Sequence, residues 1–237
     1  MIKKWSVSIL VPIVIMNFFN SRFIYSDDKM EPILNFLKKV KTPPYVSAQF
    51  IQKRSVQKIG LNENVSQTSG LFKISTEKSQ PKFYWGTKNS QLENLELFVS
   101  NGKDLWTYNY VTHYAQKLEA NKVGLEFIDI FKKISSLHLY YQLELWEKPN
   151  ATDNRQLNFT PPIADPESLL LKLTPKQSSR VKSIYCHILK NKGLIKELRI
   201  VFDDGSRTQI NFSQFNFDKI EEAQFIFTPP KGAHIGK

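Results

Sequence analysis

One cysteine, Cys186, among 237 residues excludes an intramolecular disulfide, so this chain depends on a hydrophobic core. Cys186 alternates with Ile184 and Ile188, the setting of a small buried hydrophobe rather than a reactive thiol. Histidine is almost as scarce. His113, His138, His187 and His234 lie far apart and lack metal-ligand spacing. Neither a Gly-rich phosphate loop nor a nucleophile elbow occurs. These absences argue against a metalloenzyme, a nucleotide-binding fold and a serine hydrolase, and no cofactor is expected. Asp203 and Asp204, followed by Gly205, read as turn residues rather than a paired acid and base. No apolar run reaches bilayer-spanning length, and no repeat of 20–50 residues is visible. The net charge is +11, but the positive residues are spread along the chain without a block of five, so nucleic acid is not an expected partner.

What is present begins with "MIKKWSVSILVPIVIMNFFNSRFIYSDDK". Lys3 and Lys4 precede an apolar stretch, Val7 to Met16, of secretory length. Residues 1–26 are read as a signal peptide with an uncertain cleavage site, and 27–237 as one domain. Asp27 to Thr42 is expected to be a helix. Met30, Ile33, Leu34, Leu37 and Val40 recur at helical spacing, basic residues gather near the C-terminal end, and Pro43-Pro44 stops it.

Alternation then predicts strands. Val46, Ala48 and Phe50 begin one, "GLNENVSQTSG" reads as a polar hairpin loop, and "LFKIST" and "KFYWGT" follow. Leu125 to Tyr140 changes to helical period, with an apolar stripe wider than a surface helix needs, as one helix or two short ones. "YQLELWEK" is a strand. Residues 148–166, rich in Asn, Asp and Pro, are expected to be a long loop or insertion. "SLLLKLTPK", "VKSIYCHILKN", "LIKELRIVFDD", "SRTQINFSQFNFD" and "AQFIFTPP" complete the strands. The fold is mainly β, and hairpin connections make the sheet antiparallel.

The segment "LELFVSNGKDLWTYN" raises the functional question. Asn101-Gly102 signals a tight type I′ hairpin, which pairs Ser100 with Lys103, Leu97 with Trp106 and Leu95 with Tyr108. The second strand is expected to run on through "NYVTHYAQKLEA". One face then carries Leu95, Leu97, Val99, Trp106 and Tyr108. Together with Phe83, Trp85 and the 125–137 stripe, this is more apolar surface than one small helix covers. It reads either as an ordinary core or as the wall of a ligand cavity, since filled and hollow barrels share the same alternation.

The ordered segments "AQFIQ", "SGLFKIS", "KFYW", "LFVSNGKDLWTYN" and "FDDGSRTQINF…AQFIFTPPKGAHI" resemble the periplasmic outer-membrane lipoprotein carrier family, LolA, from about Val46 to the C-terminus. The resemblance implies an unclosed antiparallel β-barrel of about eleven strands, with an α-helical lid over a hydrophobic cavity. It implies a monomeric, non-enzymatic periplasmic chaperone. Such a chaperone takes acylated lipoproteins from an inner-membrane lipoprotein-releasing ABC transporter and passes them to an outer-membrane lipoprotein receptor. By position, Phe83 matches a family aromatic at the cavity mouth. Trp85, Leu97, Val99, Trp106 and Tyr108 would line the cavity and bind acyl chains, and Ile128, Phe131 and Ile134 would belong to the lid. The family's lid-latching Arg falls at Ser79, with Lys78 beside it, so the latch departs from the family pattern. A carrier or sensor for a different lipid or acylated ligand on the same fold is the alternative reading.

Overall fold

A computed structural model describes residues 27–40, 42–56, 64–77, 80–119, 130–131, 134–146 and 166–236. The expectations for residues 1–26, for Lys78, Ser79 and Ile128, and for nearly all of the 148–166 insertion lie outside the described residues.

Helix α1 spans Asp27–Lys39. Ile33 and Leu37, one helical turn apart, are buried, while Glu31, Asn35, Lys38 and Lys39 face solvent. The expected end at Thr42 is a few residues late: the last helical hydrogen bond is donated by Val40 N–H to the Phe36 carbonyl.

Among the described residues twelve strands follow, against about eleven expected: β1 (Tyr45–Val56), β2 (Asn64–Ser75), β3 (Lys82–Lys88), β4 (Asn94–Ser100), β5 (Asp104–Asn109), β6 (Tyr114–Glu119), β7 (Tyr141–Leu145), β8 (Ser168–Pro175), β9 (Val181–Leu189), β10 (Leu194–Phe202), β11 (Arg207–Asn216) and β12 (His234–Gly236). They form one sheet in the order β12-β6-β5-β4-β3-β2-β1-β11-β10-β9-β8-β7. Neighbours are antiparallel except β12, which runs parallel to β6. Strands β12 and β7 stand at opposite ends of the order, so the barrel is unclosed. Between β6 and β7 the chain is helical at Ile130 and Phe131, makes a 3-10 turn at Ile134–Ser136, and forms the short helix α2 (Leu137–Tyr140).

Four strand expectations need correction. "GLNENVSQTSG" contributes its second half to β2, which starts at Asn64 opposite Val56. Polarity concealed that strand because Ser66 and Thr68 face a polar stripe rather than a core. Strand β5 does not run on. The Asn109 side chain accepts hydrogen bonds from Val111 and Thr112 N–H at 3.0 and 2.9 Å, and His113 takes φ 51°, so the chain turns back as β6. "AQFIFTPP" is a 3-10 turn, Glu222–Phe225, followed by unpaired chain. The alternating Phe225 and Phe227 pack on two different clusters instead of joining a ladder.

The β4–β5 hairpin is the fourth. Asn101 Oδ1 accepts from both Lys103 and Asp104 N–H, each at 2.9 Å, and Asn101 N–H donates to the Asp104 carbonyl. Gly102 takes φ +95°, but Asn101 is not in the left-handed region, so this four-residue loop is not a type I′ turn. The register therefore moves by two: Val99 faces Trp106 and Leu97 faces Tyr108. A shift of two keeps Leu97, Val99, Trp106 and Tyr108 together on one face, while Leu95, beside the irregular β3–β4 pairing, lines the cavity instead.

The main core lies on the inner face of the sheet. Ile33 and Leu37 of α1, with Ile130, Phe131, Ile134 and Leu137, pack against Val46, Phe50, Phe72, Ile74, Phe83 and Trp85. Each such side chain contributes about 1.5–3 kcal/mol on burial. Leu171, Ile184, Cys186 and Leu198 extend the same core across β8–β10.

Candidate functional site

Cross-strand register divides the inner face into two halves. In the first, Val46, Ala48 and Phe50 of β1 lie opposite Ile74, Phe72 and Gly70 of β2, and Ile74 and Phe72 lie opposite Phe83 and Trp85 of β3. This half is filled. Phe50 stacks on Trp85 with centroids 3.9 Å apart. Phe131, from the helical cover, meets Phe72 at 4.7 Å and Phe212 at 5.2 Å. Phe83 and Ile134 are 2% exposed, so both belong to the packed half.

The second half is an open cavity of about 500 Å³. Trp85 joins the halves, because it lines the cavity while packed against Phe50, Phe72 and Phe212. Gln52 lies opposite Thr68 and Ile210, and Arg54 lies opposite Ser66 and Thr208. These residues form a polar stripe in the cavity lining, half-buried at Gln52 and Thr68 and exposed at Arg54 and Ser66. Apolar flanks rise on both sides: Trp85, Leu95 and Phe98 on one, Ile200, Phe202 and Ile210 on the other. Thr87 also lines the cavity, but its hydroxyl is occupied, donating to the Glu96 carbonyl at 3.3 Å and accepting from Glu96 N–H at 3.1 Å.

Four expected lining residues are not on this face. Leu97, Val99, Trp106 and Tyr108 point to the outer side of the sheet, where they form a second apolar cluster with Ala115, Tyr84 and Phe227. Phe227 covers Trp106 and Tyr108 at 5.9 and 5.5 Å, and the Tyr108 hydroxyl pairs with His113 Nδ1 at 3.1 Å. The reason is that β3–β5 are apolar on both faces. Alternation separates the two sets but does not say which set is inside. Phe98 and Leu105 occupy the inner face instead, Phe98 in the cavity wall and Leu105 in the core. Of the expected lining set, only Trp85 reaches the cavity.

Residues that sequence reasoning passed over are Gln52 and Arg54, together with the aromatic group Phe50, Phe72 and Phe212. The aromatics carried a signal, since each lies in an alternating strand. A charged residue such as Arg54 carried none, because exposure is its default.

Two ionisable groups singled out in the sequence are shifted by their surroundings. Burial pushes the Cys186 thiol well up from its ordinary value. Asp204 is held low, first by hydrogen bonds from the Ser206 hydroxyl and N–H, then by the Arg180 and Arg54 charges. It is the turn residue expected, with Gly205 at φ 79°. Among the described residues no group of three His, Cys, Asp or Glu is placed to hold a metal, and no helix is long and apolar enough to cross a membrane.

The sequence profile described as "Outer membrane lipoprotein carrier protein LolA" matches residues 41–228. An outer-membrane lipoprotein carrier protein of Aliivibrio salmonicida is 24% identical over 155 residues, which is 65% of this chain and 66% of that protein. One from Photobacterium profundum is 26% identical over 160 residues, 68% of this chain and 69% of that protein. The matches thus span about two thirds of the length of these relatives. A crystal structure of an uncharacterized conserved protein from Thermus thermophilus aligns with a TM-score of 0.51 at 16% identity, covering 87% of this chain and 98% of that one. That likeness is one of fold.

Proposed function

This chain belongs to the outer membrane lipoprotein carrier (LolA) family, and from that membership we propose that it shields the acyl chains of lipoproteins and carries them through the periplasm. It receives cargo from an inner-membrane ABC transporter and delivers it to an outer-membrane receptor, acting as an exported monomer whose residues 1–26 are the signal peptide. It performs no chemical step of its own.

The observation that carries this reading is the continuity of the two inner-face halves through Trp85. A cavity of about 500 Å³ suits one compact ligand, not several acyl chains. The apolar half is filled by α1, Phe131 and Ile134, which are cover rather than sheet. Moving that cover exposes an apolar concave wall next to an existing opening. Each shielded methylene is worth about 0.8 kcal/mol, while loss of the cover's own contacts offsets part of that gain. Binding is therefore moderate, as a carrier without an energy source requires.

The test is release from membranes. Inner-membrane vesicles that hold the transporter and a labelled triacylated lipoprotein are given ATP and the purified protein. The expected result is labelled lipoprotein in the soluble fraction, in one-to-one complex with the chain. Lipoprotein that stays in the vesicles, together with no affinity for a synthetic triacylated peptide, overturns the proposal.

A further inference from the structure

The cavity is not a plain apolar pocket, and its polar stripe has a direction. Gln52, Arg54, Ser66, Thr68 and Thr208 occupy adjoining register positions on β1, β2 and β11, and all face the cavity. Among the described residues, no side-chain hydrogen bond or ion pair engages the Arg54 guanidinium. The Asp204 carboxylate feels the Arg54 charge but is itself occupied by Ser206, and Glu96 is the other acidic residue of the cavity lining. The stripe thus offers a planar five-donor fork, an amide and hydroxyls, flanked on both sides by Phe98, Leu95, Ile200 and Phe202. Acyl chains alone use none of those donors. Hydrocarbon lying over this donor-rich lining would displace its hydration without replacing the hydrogen bonds.

We propose that the Gln52–Arg54–Thr68 stripe binds the polar head of the cargo lipid, the ester and amide carbonyls of an acylated glyceryl-cysteine, while its chains enter the aromatic half beyond Trp85. This rests on the carrier reading and adds to it a head-group subsite that sets the orientation of the cargo. Carbonyl oxygens are acceptors only, which matches a stripe whose strongest group is a pure donor. The apolar flanks accommodate the first methylenes of chains diverging from one head. Trp85, shared by both halves, is the point where head and chains part.

The experiment compares two probes on the full chain: a synthetic N-acyl, S-diacylglyceryl-cysteine peptide and an uncharged naphthylamine dye. The expected result is that Arg54→Ala weakens peptide binding tenfold or more and leaves dye binding within twofold. Arg54→Lys recovers part of the loss, since it restores charge but not the fork. Gln52→Leu, at a half-buried position, weakens the peptide several-fold, and Lys53→Ala, which faces the other side of the sheet, changes nothing. Wild-type protein that binds neither probe overturns the carrier reading and this subsite with it. Wild type that binds the peptide, with Arg54→Ala and Gln52→Leu unchanged, overturns the subsite alone. Phosphatidylglycerol, which shares the glyceryl esters and adds a phosphate, is the third arm. A loss confined to that lipid reassigns the stripe to phosphate and also overturns the proposal.

Discussion

The Phe50 ring stacks on the Trp85 indole, with centroids 3.9 Å apart and planes 22° from parallel, and it reaches that position across the bare backbone of Gly70. Gly70 lies directly opposite Phe50 in the β1–β2 ladder. A Cβ there would lie 2.1 Å from the Gly86 carbonyl oxygen and 2.4 Å from Phe50 Cζ. The glycine is a steric requirement of the stack, and the stack is the boundary between the filled and the open half of the inner face.

Gly70→Ala is therefore expected to destabilise the fold by about 1–3 kcal/mol through overpacking. It also moves Phe50 off Trp85 and changes the tryptophan emission of the native state. Thermal melts with fluorescence detection check both. An unchanged midpoint and an unchanged spectrum would show that the ring has room elsewhere.

The two faces of β3–β5 separate binding from stability. Tyr108→Leu and Val99→Ala disturb the outer cluster under Phe227, so they are expected to lower stability by about 1–4 kcal/mol and leave ligand affinity within twofold. Phe98→Ala alters the cavity wall, so it is expected to weaken ligand binding at a smaller cost in stability. Urea titrations paired with dye binding measure the two effects on the same samples. Ligand loss in Tyr108→Leu with none in Phe98→Ala would reverse the assignment of inside and outside.

Glu197 and Arg199 form a buried ion pair, 2.6 Å between Oε1 and Nε, with side chains 8% and 4% exposed. Gln209 Nε2 donates to the same carboxylate oxygen at 2.7 Å, and the guanidinium lies 5.3 Å from the Trp146 ring centre. Arg199→Leu leaves the carboxylate buried without its cation and is expected to cost about 3–5 kcal/mol. The double change Glu197→Leu, Arg199→Leu is expected to cost less than the single one. A double-mutant cycle in urea gives the comparison, and strict additivity would rule out coupling.

Three phenols make stability fall at alkaline pH. Tyr45 is pushed up to about 12, chiefly by its hydrogen bond to Glu77 and then by burial. Tyr84 and Tyr110 are raised mainly by burial, each with a smaller contribution from a neighbouring tyrosine. Folding favours the neutral form of each. Their contribution is full below the ordinary value of 10.0 and is lost as pH rises above it, for Tyr45 through about 12. Spectrophotometric titration should show late-ionising phenols in the native state, and Tyr45→Phe should remove the latest. All tyrosines titrating together near 10 in the folded protein would contradict this.

The strands from β8 to β11 were legible almost to the residue, because β8 to β10 are dense in apolar and β-branched side chains and β11 alternates strictly over its first half. The helix α1 was legible for the same kind of reason, a stripe ending before two prolines. The β5–β6 turn was missed because its signal is one Asn side chain, Asn109, and an unusual His113 backbone, not a Gly-Asn or Pro pair. Strand β12 was missed because three residues carry no measurable period. At the site, Trp85 was legible and Arg54 was not.

Local chemistry determined most of the strands and most of the hairpin positions, and within a regular strand which side chains share a face, but it did not separate "AQFIFTPP", which alternates without joining a ladder, from a true strand. Those properties depend on the two-residue period of a strand and the dihedral preferences of turns, which act between near neighbours. Only the tertiary structure decided which face of β3–β5 is the inside. Both faces are apolar, and the choice depends on contacts between residues far apart in the chain. Phe227 returns to cover Tyr108 on one side, while Phe131 descends on Phe72 on the other. The period fixes the separation of the two sets, and long-range packing fixes their sign.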